Sequence, residues 1–180
     1  FFGEPGAEII YPDPGFPIYE SMINYTGATA VPYNPTEKKD FSIDSDKVLS
    51  LINEKTRLII LNNPHNPTGS FTEKKVIDKL VEGLVNFPDV TILSDEIYDR
   101  LIFDKKEIPT MLNYPKFYDR LIVLNGWSKT YAMTGWRLGW GVWPEQLIEH
   151  VFKFCVNSHS CVNTPAQYGA IAALDGPENH

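Results

Sequence analysis

Residues 126–139 read Gly126-Trp127-Ser128-Lys129-Thr130-Tyr131-Ala132-Met133-Thr134-Gly135-Trp136-Arg137-Leu138-Gly139. They place one lysine among small and aromatic residues, soon after the apolar run Leu121–Leu124, with no other cation until Arg137. An amine drawn out of water is favoured in its neutral form, and a neutral amine can form a Schiff base with an aldehyde. An arginine set apart from it offers a planar fork of donors that fits phosphate oxygens. An aldehyde and a phosphate on one small molecule describe pyridoxal phosphate, which is therefore the expected cofactor.

Such a cofactor needs a carboxylate to keep its ring nitrogen protonated, so that the ring can accept the electron pair left when a bond to a substrate α-carbon breaks. Asp95, closing the apolar run Val90–Ser94, is placed for that, although an aspartate after a strand is also a common helix cap. It belongs to a second motif, Ser94-Asp95-Glu96-Ile97-Tyr98, and a third stands upstream as Asn62-Asn63-Pro64-His65-Asn66-Pro67-Thr68-Gly69.

Taken in this order, the three runs resemble the class I and II (fold type I) aminotransferases, and the lysine run matches that family's signature position by position. The resemblance implies that Lys129 is the covalent lysine and Asp95 the partner of the ring nitrogen. Asn66 and Tyr98 would donate to the cofactor's phenolic oxygen, Arg137 would hold the phosphate, and Ser128 would add a hydroxyl to it. Many relatives carry a serine three residues before the lysine; this chain has Gly126 there, and the Asn125-Gly126 pair looks like the bacterial aspartate aminotransferase branch. Phe16, in Asp13-Pro14-Gly15-Phe16-Pro17, takes the role of the aromatic that stacks on the ring. A cis bond at Asn66–Pro67 is implied as well. Trp136, Leu138 and Trp140 suggest a mostly buried setting for Arg137. His65 and His159 are read as packing residues, since Lys129 can itself move a proton.

The chain has 180 residues, 43% apolar and 13% aromatic, enough for a sizeable core. The net charge of −7 argues against a nucleic-acid partner. The two cysteines, Cys155 and Cys161, lack further ligands at metal-site spacing, so no metal is expected. With no signal peptide and no apolar run of membrane-spanning length, the expected location is the cytoplasm and no membrane partner is foreseen.

Apolar runs alternating with amphipathic ones predict an α/β fold: a mainly parallel sheet with one antiparallel strand and helices on both faces. The strands are expected at Glu8–Tyr11, Ala28–Val31, Leu58–Leu61, Val90–Ser94, Leu121–Leu124 and Leu138–Val142, the last antiparallel. Helices are expected near Pro17–Tyr25, Ser45–Ile52, Glu73–Phe87, Lys129–Thr134, Pro144–Phe154 and Pro165–Leu174. Three strands run directly into the three motifs, delivering polar groups at carboxyl ends, where ligands bind in open α/β sheets. The glycines of 135–141 match neither a dinucleotide fingerprint nor a P-loop.

The resemblance implies that residues 1–180 are the central part of a cofactor-binding large domain, incomplete here. The small domain and the N-terminal phosphate-loop region would lie outside it, and a further strand would pair beside Leu138–Val142. The expected reaction moves an amino group from an amino acid, aspartate first, to a 2-oxo acid such as 2-oxoglutarate. The intact enzyme is expected to be a homodimer and this stretch inactive alone. A carbon–sulfur lyase or related eliminase on the same scaffold, and a non-catalytic regulatory domain of the same shape, are the alternatives.

Overall fold

A computed structural model describes residues 1–103 and 107–177. Six strands form one sheet in the order β2-β1-β3-β4-β5-β6. They are β1 (Glu8–Pro12), β2 (Thr29–Tyr33), β3 (Thr56–Asn62), β4 (Thr91–Asp95), β5 (Leu121–Gly126) and β6 (Gly139–Val142). The first five are parallel to their neighbours, and β6 runs antiparallel to β5. The helices are α1 (Ile18–Thr26), α2 (Ser45–Leu51), α3 (Lys74–Leu84), α4 (Glu145–His159) and α5 (Thr164–Asp175). This is the expected mainly parallel sheet with one antiparallel strand.

The sheet is apolar on both faces because helices cover both. Along β3, Leu58 and Ile60 join Tyr19 and Ile23 of α1, while Ile59 and Leu61 join α2 and α3 on the other side, the two-residue alternation of a strand. On α3 the buried residues are Ile77, Leu80, Val81 and Leu84, one stripe at helical spacing. Asp44 caps α2 by accepting the N–H of Lys47 at 3.3 Å. Gly27 ends α1 in the left-handed conformation, φ 84°, returning its N–H to Asn24. Pro32 is tolerated within β2 because β2 is an edge strand.

The expected helix at Lys129–Thr134 does not form. The segment is a tight turn in which the Tyr131 N–H reaches the Trp127 carbonyl (3.2 Å) and the Ala132 N–H that of Lys129 (3.1 Å). Ala132 then takes φ 52°, a left-handed step that stops a helical ladder, and only a 3-10 turn at Thr134–Trp136 follows. Element ends also shift: β4 reaches Asp95 itself, β5 reaches Gly126, and α4 continues to His159 rather than stopping at Phe154. Short 3-10 turns at Glu37–Lys39, Met111–Asn113 and Pro115–Phe117 complete the connections.

No helix among the described residues is long and apolar enough to cross a membrane. Leu80 is fully buried between α3 and the sheet. Leu80→Ala is expected to cost about 2–5 kcal/mol of stability, read as a lowered denaturation midpoint at unchanged slope.

Candidate active site

The parallel register decides where the motifs meet. Asn62 pairs with Asp95 across β3 and β4, and Asp95 with Leu124 across β4 and β5. Three chains therefore leave the sheet side by side at its carboxyl edge, each into one of the three motifs. A cavity of about 380 Å³ lies there, lined by all seven residues singled out in the sequence: Phe16, Asn66, Asp95, Tyr98, Ser128, Lys129 and Arg137. Tyr19, Asn62, Ile97 and Thr134 complete its wall.

The Asp95 carboxylate is held from two sides. Its Oδ2 accepts the Tyr19 hydroxyl at 2.6 Å and its Oδ1 the Ile97 N–H at 3.2 Å. Burial pushes its pKa above the ordinary carboxylate value, against the Tyr19 and Ile97 hydrogen bonds and the charge of Lys129, which pull it down. Tyr19 is itself buried, and its hydroxyl is pushed far up, by burial first and then by the facing Asp95 charge.

Asn62 joins the Asp95 strand to the Asn66 loop, donating from Nδ2 to the Asp95 carbonyl (3.0 Å) while its Oδ1 accepts the Asn66 N–H (2.8 Å). The Asn66–Pro67 bond is cis, as are Asp13–Pro14 and Asn63–Pro64. Asn66 Nδ2 lies 3.4 Å from the Tyr98 hydroxyl, and Lys129 Nζ stands 5.6 Å from the centre of the Tyr98 ring. Phe16 packs edge-on against Tyr19, with ring centres 5.8 Å apart.

Arg137 departs from its expected surroundings. It is exposed, as are Trp136 and Trp140, and only Leu138 of that run is buried, against Met133, Ala166 and Ala170. Arg137 sits just before β6, the outermost strand among the described residues, in a left-handed conformation, φ 57°. Its Nη1 donates to the Thr134 carbonyl at 2.8 Å.

The neighbouring Glu96 points away from the cavity. It is buried, accepts from the Ser94 hydroxyl (2.8 Å) and the Met111 N–H (2.9 Å), and anchors the segment beneath β4. His65 is buried with Nδ1 2.8 Å from the Thr68 hydroxyl, and His159 is exposed at the end of α4; neither lines the cavity. No cluster of metal-ligating side chains occurs among the described residues.

Tyr19 and Asn62 were not anticipated as site residues. Asn62 opens its motif at the end of a strand, and Tyr19 lies about one helical turn after Phe16; either spacing could have marked it.

The chain matches the family described as aminotransferase class I and II over residues 1–180. It belongs to the class I and II aminotransferases. An aspartate aminotransferase of Sulfurisphaera tokodaii is 40% identical over 173 residues, spanning 95% of this chain and 43% of that protein. An aromatic-amino-acid aminotransferase of Thermococcus litoralis is 34% identical over 173 residues, 96% of this chain and 44% of the relative. Among solved structures, the aspartate aminotransferase of Rhizobium meliloti superposes with a TM-score of 0.93 at 30% identity, covering 98% of this chain and 44% of that one. The chain thus spans less than half the length of these relatives.

Class I and II aminotransferases use pyridoxal phosphate. The side chains of the cavity fit it. Asp95 keeps a partly buried carboxylate at the wall, with a raised pKa that a cationic ring nitrogen would relieve. A phenol and an amide stand together opposite, and an amine and a guanidinium share the same space.

Because the folded chain binds the Asp95 proton more tightly than the unfolded chain, stability should fall as pH rises from the ordinary carboxylate value through the raised folded value. Asp95→Asn should remove this share of the slope. Urea midpoints of both proteins, measured without cofactor across the acid range, check it; identical slopes would show that Asp95 titrates normally.

Proposed function

We propose that this chain is the cofactor-holding part of an aminotransferase that moves an amino group from an amino acid, aspartate first, to a 2-oxo acid such as 2-oxoglutarate. The observation that carries the reading is the convergence of Lys129, Asp95, Tyr98, Asn66 and Arg137 on one cavity at the carboxyl ends of β3, β4 and β5. The relatives named as aspartate aminotransferases support the choice of amino acid.

When bound, pyridoxal phosphate supplies an aldehyde and an electron-accepting ring. Asp95, oriented by Tyr19 and the Ile97 N–H, holds a proton on the ring nitrogen through a charge-assisted hydrogen bond. Asn66 and Tyr98 would donate to the phenolic oxygen. The Arg137 fork would hold the phosphate, with the Ser128 hydroxyl as a further donor. Phe16 would pack against the ring. Lys129 Nζ would hold the aldehyde carbon, a place that a substrate amine can take. The freed Lys129 amine would then take the proton from the substrate α-carbon as a base and, as an acid, deliver it to the carbon that carried the aldehyde. The intact enzyme works as a homodimer in the cytoplasm, and residues 1–180 form the central part of its large domain.

Borohydride reduction of the cofactor-loaded protein, followed by peptide mapping, should tag Lys129; a tag on another lysine overturns the mechanism. In the intact enzyme, Lys129→Ala should abolish turnover while reversible cofactor binding persists, seen by dialysis.

Asp95→Ala should slow turnover by roughly 10²–10⁴-fold, the loss expected on removing a preorganised electrostatic group. Near-normal turnover in that variant would make Asp95 a cap only.

A further inference from the structure

Asn125 and Gly126 are the last two residues of β5, just ahead of the lysine turn. At Gly126 a side chain is excluded: a Cβ there would meet the Leu138 carbonyl oxygen at 2.8 Å and the Gly139 Cα at 2.9 Å. The returning β6 backbone thus lies directly on it. The Asn125 side chain is committed at both ends. Its Oδ1 accepts the Gly126 N–H at 2.7 Å, and its Nδ2 donates to Asp99 Oδ2 at 2.9 Å. A backbone donor on one side and a carboxylate on the other fix the amide's orientation.

Asp99 directly follows Tyr98, in the turn after β4, where its own N–H bonds the Glu96 carbonyl at 3.0 Å. The β4–β5 pairing ends at Asp95 and Leu124, with the Glu96 N–H reaching the Leu124 carbonyl at 2.9 Å. Beyond that point side chains tie the two loops together. Asn125–Asp99 is one tie, and Arg100 Nη1 to the Tyr131 hydroxyl, at 3.4 Å, is a second and more exposed one. In sequence the two ties flank Lys129 on its own loop, at Asn125 and Tyr131, and hold the two residues directly after Tyr98 on the other, Asp99 and Arg100; the Lys129 amine and the Tyr98 ring centre are 5.6 Å apart.

We propose that Asn125 is a positioning residue: by clamping Asp99 it sets where the Tyr98 hydroxyl stands relative to Lys129, and so how strongly Tyr98 donates to the cofactor's phenolic oxygen. This rests on the cofactor-binding reading above. A weaker donor leaves more charge on that oxygen. A proton nearby is then held to higher pH.

The test is a spectroscopic pH titration of the intact protein loaded with pyridoxal phosphate, following the pH midpoint of the bound cofactor's visible band. Asn125→Ala leaves the charge unchanged and removes the clamp, so the midpoint should rise, by an amount on the order of one pH unit. Asn125→Asp sets two carboxylates against each other and should raise it further or loosen the cofactor. Combining Asn125→Asp with Asp99→Asn rebuilds the hydrogen bond in the opposite sense at unchanged charge, with one oxygen still free for the Gly126 N–H. That pair should return the midpoint toward the parent value.

An unchanged midpoint in Asn125→Ala, or a rise that the swapped pair leaves in place, overturns the clamp. Thermal unfolding of each variant separates a general loss of stability, which would not track the swap, from the local effect. Failure of the parent protein to develop any visible band with the cofactor would instead overturn the binding reading.

Discussion

Three parallel strands in register govern the whole site. Hydrogen bonding places Asn62, Asp95 and Leu124 abreast across β3, β4 and β5, and a shift of one residue in any of them would turn its side chains to the opposite face. Two consequences follow from that one constraint. Asp95 meets the cavity while Glu96, its neighbour, is turned into the structure under β4, where Ser94 and the Met111 N–H hold it. The loops that follow begin within a few ångströms of one another, so an amide from one, a phenol from the next and an amine from the third can share a single cavity.

Asp95 shows how such an arrangement is kept in tension. A carboxylate in this position is disfavoured by burial, and its two hydrogen bonds only partly offset that. Tyr19 supplies one of them from α1, a helix that covers the face of the sheet nearest the cavity. The same side chain is part of the apolar packing against Ile9, Leu58 and Ile60. Core and site are therefore not separable at this point: shifting α1 would move the hydroxyl that orients the carboxylate. A group held in this way is ready to receive a positive partner without rearranging, which is where electrostatic catalysis draws its strength.

The sheet was legible in the sequence because its strands are short, apolar and β-branched, each bounded by a turn signal. The seven site residues came from the resemblance their motifs carry, Phe16 only from its place in the Asp13–Pro17 segment, and all seven are among the residues that line the cavity. What escaped was set by contacts between distant segments. The segment after Lys129 was expected to be helical, yet Ala132 takes a left-handed step in the connection between β5 and the antiparallel β6, which no local preference of alanine announces. The tryptophans around Arg137 looked like core residues, but hydrophobicity does not say whether a strand is flanked on both sides, and among the described residues β6 pairs with β5 alone. Nothing local marks Tyr19 as a partner for Asp95, because the two lie 76 positions apart.

The division between chemistry and selectivity follows from the same geometry. Relatives named for aspartate and for aromatic amino acids match this chain over nearly the same stretch and at comparable identity. Overall likeness along this stretch therefore does not separate relatives named for those two kinds of substrate. Those motifs present a carboxylate, a phenol, an amide, an amine and a guanidinium, a set fitted to one cofactor's ring, oxygen, aldehyde and phosphate. Under the proposed function, a wall so committed to the cofactor would leave a substrate side chain to be read by other groups.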